Sequence, residues 1–166
     1  TEKTNARIAD PLGGTALVLD GEQRVDGFEI GVSGSITDRW KVFGGYTYLH
    51  SEIAKSTTAA EIGNEFPNIA PHNISVWTTY DVTDAIGLGF GATYQDRRFA
   101  NTANNRVLPD YWRFDAMASY RLTEHVGLRL NLLNLTDETI YDSTHNGQHA
   151  LVAPGRTALL TAVFNY

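Results

Sequence analysis

The side chains with the most chemical capacity lie in a few polar stretches. His145 and His149 stand four apart in THNGQH. On a helix that spacing would put both imidazoles on one face for a metal. Asn146 and Gly147 predict a loop there instead, and in a loop the spacing has no such meaning. Arg97, Arg98 and Arg106 cluster in a second polar stretch. Arginine suits delocalised anions and aromatic rings. Tyr141, beside Asp142, offers a ring that can stack on a ligand. Asp142, Ser143 and His145 are the side-chain types of a hydrolytic triad, but closeness along a loop does not make one; geometry does. There is no glycine-rich phosphate loop and no zinc signature. The expectation is therefore that the chain is not an enzyme. The plainer alternative for these arginines and histidines is a solvated polar loop.

The bulk composition narrows the classes. The chain has 166 residues and no cysteine, which allows one domain of ordinary size and excludes disulfides. A formal charge of −6 argues against a nucleic-acid partner, which needs clustered Lys and Arg. The 15 glycines and 8 tyrosines suit an all-β chain with tight turns and aromatic girdles. No run approaches the roughly 20 apolar residues of a transmembrane helix, which leaves a membrane barrel open, because barrel strands alternate.

The elements that must position the polar stretches read as strands. Residues 1–10 have weak strand character, 11–14 break it, 15–20 resume it and 21–24 form a polar join. From Val25 the alternation of period two is clean. Phe28, Ile30, Val32 and Ile36 oppose Glu29, Gly31, Ser33 and Ser35. Val42, Gly44, Tyr46 and Tyr48 share a face after Trp40. Residues 72–82 put Ile74, Val76, Thr78, Tyr80 and Val82 on one side. Leu88, Phe90, Ala92 and Tyr94 oppose a glycine-rich face. Phe114, Ala116, Ala118 and Tyr120 oppose Arg113, Asp115, Ser119 and Arg121. Leu128, Leu130 and Leu132 oppose Arg129 and Asn131. The last strand, 157–166, carries Ala158, Leu160, Ala162, Phe164 and Tyr166.

The connections alternate. Those at 37–39, 83–86 and 123–125 are short; those at 51–71, 96–110 and 136–156 are long. A soluble sandwich alternates too, but it has no need to place every long loop at one end. Outer-membrane barrels have short periplasmic turns and long extracellular loops. The predicted architecture is all-β: an antiparallel meander of about seven to eight strands, too few for a typical closed barrel with its first strands in doubt. Arg113, Asp115, Arg121 and Arg129 then face the lumen, as a cross-strand charge ladder. Trp40, Tyr48, Trp112, Tyr120, Phe164 and Tyr166 suit interfacial belts. Asn131 and Asn134 are expected to hydrogen-bond near the wall or rim.

Five segments carry a family resemblance. GEQRVDGFEIGVSGSIT resembles a barrel strand of TonB-dependent siderophore receptors. EFPNIAPHNISVWTTYDV is similar to their "lPNvPkH" loop-to-strand passage. LPDYWRFDAMASYRL resembles "lPgYtrfDamasYrl", LRLNLLNLTDETIYDS resembles "lqLNvtNLfdkkYyds", and APGRTALLTAVFNY resembles the terminal "aPRtvllslsyrF". The segments follow the family's order over nearly the whole chain. Tyr166 stands where Phe is usual, and the THNGQH loop is variable in the family.

The resemblance implies a great deal more. It makes residues 1–166 the C-terminal portion of a 22-stranded barrel, from the outer end of strand 15 to strand 22. The plug domain and the N-terminal barrel strands are expected to lie outside this sequence. It implies an integral outer-membrane protein, a ferric siderophore as ligand, weakly a catecholate, and no cofactor. Energy would come from the TonB system through the plug. Lipid, lipopolysaccharide and the outer-membrane assembly machinery are the other expected partners. Arg97, Arg98, Arg106, Tyr141, His145 and His149 are the candidate ligand-binding residues. Phe164 and Tyr166 are the candidates for barrel closure and assembly. The competing reading is a small outer-membrane barrel serving as an anchor or adhesin.

Overall fold

The computed structural model describes residues 1–10, 17–145 and 147–164. Apart from one short 3-10 turn, Ala59–Glu61, its regular structure is strand. Eight strands form one antiparallel sheet that follows chain order. They are β1 (Glu2–Ala9), β2 (Leu17–Thr37), β3 (Trp40–Lys55), β4 (His72–Asp81), β5 (Ile86–Gln95), β8 (Tyr111–Arg121), β9 (Val126–Leu133) and β12 (Thr157–Phe164). Two ribbons grow from the long connections: β6 (Arg98–Phe99) with β7 (Val107–Leu108), and β10 (Tyr141–His145) with β11 (His149–Val152). The predicted meander is therefore present, and β12 pairs with β9 over its whole length.

The register aligns the alternating rows from strand to strand. Ile30 lies opposite Tyr46, Tyr46 opposite Ile74, and Ile74 opposite Tyr94. Tyr94 lies opposite Trp112, with their rings 5.0 Å apart. Further along, Leu88 meets Ala118, Ala118 meets Leu130, and Leu130 meets Leu160. A slip of one residue would send each of these side chains to the other face. The result is one continuous apolar face, still exposed: Val32 keeps 66% of its surface and Leu160 73%. An apolar surface of this extent is too large for a monomer in water.

The opposite face is mainly polar, with Phe43, Trp77, Met117, Leu159 and Val163 as apolar members. Glu29, Thr47, Asn73 and Gln95 share a row. Trp77 also points to this side and lies flat on the backbone of β5. A Cβ on Gly91 would stand 2.2 Å from Trp77 Cε3, and one on Gly89 would stand 2.9 Å from Cζ2. The glycines of β5 therefore make room for an indole. The expected charge ladder does not cross strands. Arg113 pairs with Asp115 two residues along the same strand, at 3.0 Å, because these side chains share a face and the strand neighbours opposite them are Thr93 and Gly91. Arg121 binds the Asp84 carbonyl at a short turn, and Arg129 lies between Ser119 and Thr161.

The two ends of the sheet differ. At one end the three short turns are each organised by a threonine hydroxyl. Thr37 accepts from Arg39 N at 3.3 Å, Thr83 from Ile86 N at 3.0 Å and Thr123 from Val126 N at 3.1 Å. At the other end the sheet runs on past its expected limit. Residues 21–24, read as a join, are interior to β2, and β3 reaches Lys55. β1 pairs only with this extension, from Ala9 opposite Leu17 to Glu2 opposite Arg24. Both faces of the extension carry polar residues, so it has no apolar row to announce it. The buried hydrophobic side chains Ala6, Ile53, Ala70, Ala100, Leu108 and Ile140 all lie at this end.

Candidate functional site

Three long connections meet above the extended end of the wall: 56–71, 96–110 and 134–156. Side-chain amides sew the first to the second. Asn104 Nδ2 donates to the Glu65 carbonyl at 3.0 Å, and Glu65 N donates to Asn104 Oδ1 at 2.8 Å. Asn64 Nδ2 donates to the Thr102 carbonyl at 2.8 Å, and Thr102 Oγ1 donates to Glu61 Oε1 at 2.6 Å. Asn68 and Asn104 hold positive φ, 63° and 52°, a conformation that asparagine tolerates better than most residues.

The third connection is tied to both others. Thr144 N donates to Asn68 Oδ1 at 2.9 Å, and Thr144 Oγ1 donates to the Ala100 carbonyl at 3.1 Å. Arg98 is the central tie. It is 1% exposed, and it donates to Gln95 Oε1 and to the carbonyls of Tyr141 and, at 2.5 Å, Asp142. Burial lowers its guanidinium from the ordinary value, against the raising influence of Tyr111 and Asp142. A buried charge is stable only when its protons are placed on acceptors, and here the acceptors belong to the neighbouring ribbon.

A second device fixes the third connection to the wall. Asn134 is 2% exposed with φ 54°. Its backbone N donates to Asp115 Oδ1 at 2.9 Å. Its side chain exchanges two hydrogen bonds of 2.9 Å with the backbone of Glu138. Asp137 Oδ1 accepts from Arg156 N at 2.7 Å. The expectation that Asn134 bonds at the wall is met, and Asp115, read as lumen charge, is its anchor.

The predicted ligand-binding residues separate into two groups. Arg97, Arg106, His145 and His149 are exposed on the loop layer. The Arg97 guanidinium lies 5.3 Å from the Phe99 ring centroid. Arg106 Nη1 donates to the Gly147 carbonyl at 3.0 Å. His145 lies directly opposite His149 in the β10–β11 ribbon. Arg98 and Tyr141 belong instead to the support. Arg98 has no surface left for a ligand, because its charge is spent on carbonyls. Tyr141 is half-buried at the ribbon's base. Phe164 lies at the opposite end, paired with Val126 and 62% exposed on the apolar face. Tyr166 lies outside the described residues.

One apolar face, one polar face, short turns at one end and a loop layer at the other define a segment of outer-membrane β-barrel wall. The chain belongs to the family described as TonB dependent receptor-like, beta-barrel, whose sequence pattern matches residues 1–135. It is 38% identical to the probable TonB-dependent siderophore receptor PiuA of Acinetobacter baumannii, over 100% of this chain and 23% of PiuA. It is 37% identical to the probable TonB-dependent receptor BfrD of Bordetella pertussis, over 99% of this chain and 23% of BfrD. The crystal structure of PiuA matches with a TM-score of 0.90 at 39% identity, over 100% of this chain and 25% of that one. The closed form of the ferric-catecholate import receptor Fiu from Escherichia coli K12 matches with a TM-score of 0.80 at 30% identity, over 99% and 24%. The chain thus spans about a quarter of the length of these relatives.

Proposed function

We propose that this chain forms wall, extracellular loops and closing strand of a receptor that imports ferric siderophores through the outer membrane. The observation that carries the reading is the loop layer. It sets exposed Arg97, Arg106, His145 and His149 at the end of the wall away from the short turns. Ferric siderophores of the catecholate class are anionic and aromatic, and exposed guanidinium groups suit both properties. PiuA is named as a siderophore receptor and Fiu as a ferric-catecholate import receptor. The remaining barrel strands, a plug and its TonB contact would come from sequence beyond this segment. Lipid covers the apolar face, and lipopolysaccharide meets the outer rim. In this reading Phe164 and Tyr166 serve closure and recognition by the assembly machinery, not ligand contact.

The test is uptake of radioactive iron, as a ferric catecholate, by cells whose sole siderophore receptor is the complete protein. Uptake should require TonB. Replacing Arg97 and Arg106 together by alanine should lower affinity about tenfold, the size of one lost charge-assisted contact, with unchanged receptor in the membrane. Removing Tyr166 should lower the amount of assembled receptor instead. TonB-independent cell adhesion without iron uptake would favour the anchor reading.

A further inference from the structure

We propose that His145 and His149 form a two-imidazole site that completes the coordination of a ferric chelate with two adjacent positions open. The proposal rests on the siderophore-receptor reading and goes further, since it specifies the kind of chelate. The two histidines are directly opposed in the β10–β11 register. Opposed residues of an antiparallel ribbon project from one face, with Cβ atoms about 4.5–5.5 Å apart. Thr144, one residue earlier, turns its hydroxyl to Asn68 Oδ1 and the Ala100 carbonyl, both at 3.1 Å. That side of the ribbon is the one packed on the loop layer. Alternation sends His145 to the other side, and both histidines are exposed. Adjacent nitrogens on one metal are about 3 Å apart for bonds near 2.1 Å, a separation that two rings rooted about 5 Å apart can reach.

The surroundings select the kind of metal centre. No group of three or more His, Cys, Asp or Glu that could hold a metal occurs among the described residues. The pair therefore offers two donors, too few to enclose a bare cation. Arg106 places a guanidinium at the ribbon tip through its hydrogen bond to Gly147. That charge repels a bare cation and attracts an anionic complex. Iron(III) held by two catecholate groups is anionic and two donors short of six. Imidazole suits iron when the remaining donors are oxygen. On binding, two coordinated waters leave and two neutral imidazole nitrogens take their places. Iron stays ferric and the complex keeps its charge.

The complete receptor, purified in detergent, tests this with two synthetic complexes: iron(III) with a tetradentate bis-catechol and iron(III) with a hexadentate tris-catechol. The visible charge-transfer band reports the coordination sphere. With the wild type, the band of the tetradentate complex should shift on binding and that of the hexadentate complex should not. The double variant His145→Ala, His149→Ala should abolish the shift and weaken the tetradentate complex about tenfold. Its unchanged affinity for the hexadentate complex would show an intact fold. Equal weakening of both complexes would make the histidines ordinary contacts and overturn the proposal, as would an unaltered band and affinity in the variant. Failure of the wild type to bind either complex would overturn the receptor reading as well.

Discussion

Leu160 faces Leu130 across β12 and β9, in full register, and is still 73% exposed. Arg98 carries a full charge and is 1% exposed. The first residue belongs to the wall and the second to the loop layer, and their burial is the reverse of what a soluble protein would show. In the wall, backbone ladders fix the strands, and the apolar side chains await a solvent of their own kind. In the loop layer, side-chain amides and the guanidinium groups of Arg98 and Arg106 bind backbone carbonyls of other connections, and apolar residues such as Ala70, Ala100, Leu108 and Ile140 fill the space between. Stability of the wall should therefore follow the membrane, and stability of the loop layer should follow particular hydrogen bonds.

Substitutions can break this contrast on either side. The largest effect is expected from Leu160→Arg, about 2–4 kcal/mol near the middle of a lipid-facing strand, measured as reversible unfolding of the complete receptor in lipid vesicles. Thr161→Arg, one residue on and on the other face, should cost far less. Equal costs would refute the assignment of faces. Next comes Gly91→Leu, whose Cβ would stand 2.2 Å from Trp77 Cε3. Displacing the indole should cost about 1–3 kcal/mol, as overpacking does, and Trp77→Ala should recover most of it. In the loop layer, Asn134→Ala loses two side-chain hydrogen bonds and keeps a positive φ that alanine disfavours. About 1–2 kcal/mol is expected, seen as faster hydrogen exchange at residues 134–140. Asn134→Gly, free of the φ penalty, should recover part of that loss.

The same contrast explains what was legible beforehand. Rows such as Ile30, Tyr46, Ile74 and Tyr94 alternate with polar residues because one face meets lipid, so each strand centre announced itself. Residues 21–24 and the end of β3 are also strand, with a register shift between Glu22 and Gln23, but both their faces carry polar residues and no period marks them. Arg97 and Arg98 are adjacent and chemically identical. Only the fold makes one a surface cation and the other a buried tie, because Arg98 meets carbonyls 43 and 44 residues away. Trp77 over Gly89 and Gly91 is likewise a cross-strand fact. Helical spacing does not relate His145 to His149; the hairpin brings them together by register instead. The recurring segments pointed to the family through residues such as Asn134 and Asp115, which turn out to hold the loop to the wall.

The central claim is that the three long connections form one hydrogen-bonded layer rather than three independent loops. Hydrogen exchange on the complete receptor, wild type against Arg98→Met, tests it most directly. The substitution removes the donor to Gln95, Tyr141 and Asp142 while keeping a long apolar stem. Faster exchange is expected at residues 141–152 and at 96–110, and in the Asn68 region of 56–71, on the order of a hundredfold for about 3 kcal/mol of lost bonding, with the wall strands unchanged. Acceleration confined to residues around 98, with 56–71 and 141–152 as protected as before, would contradict it.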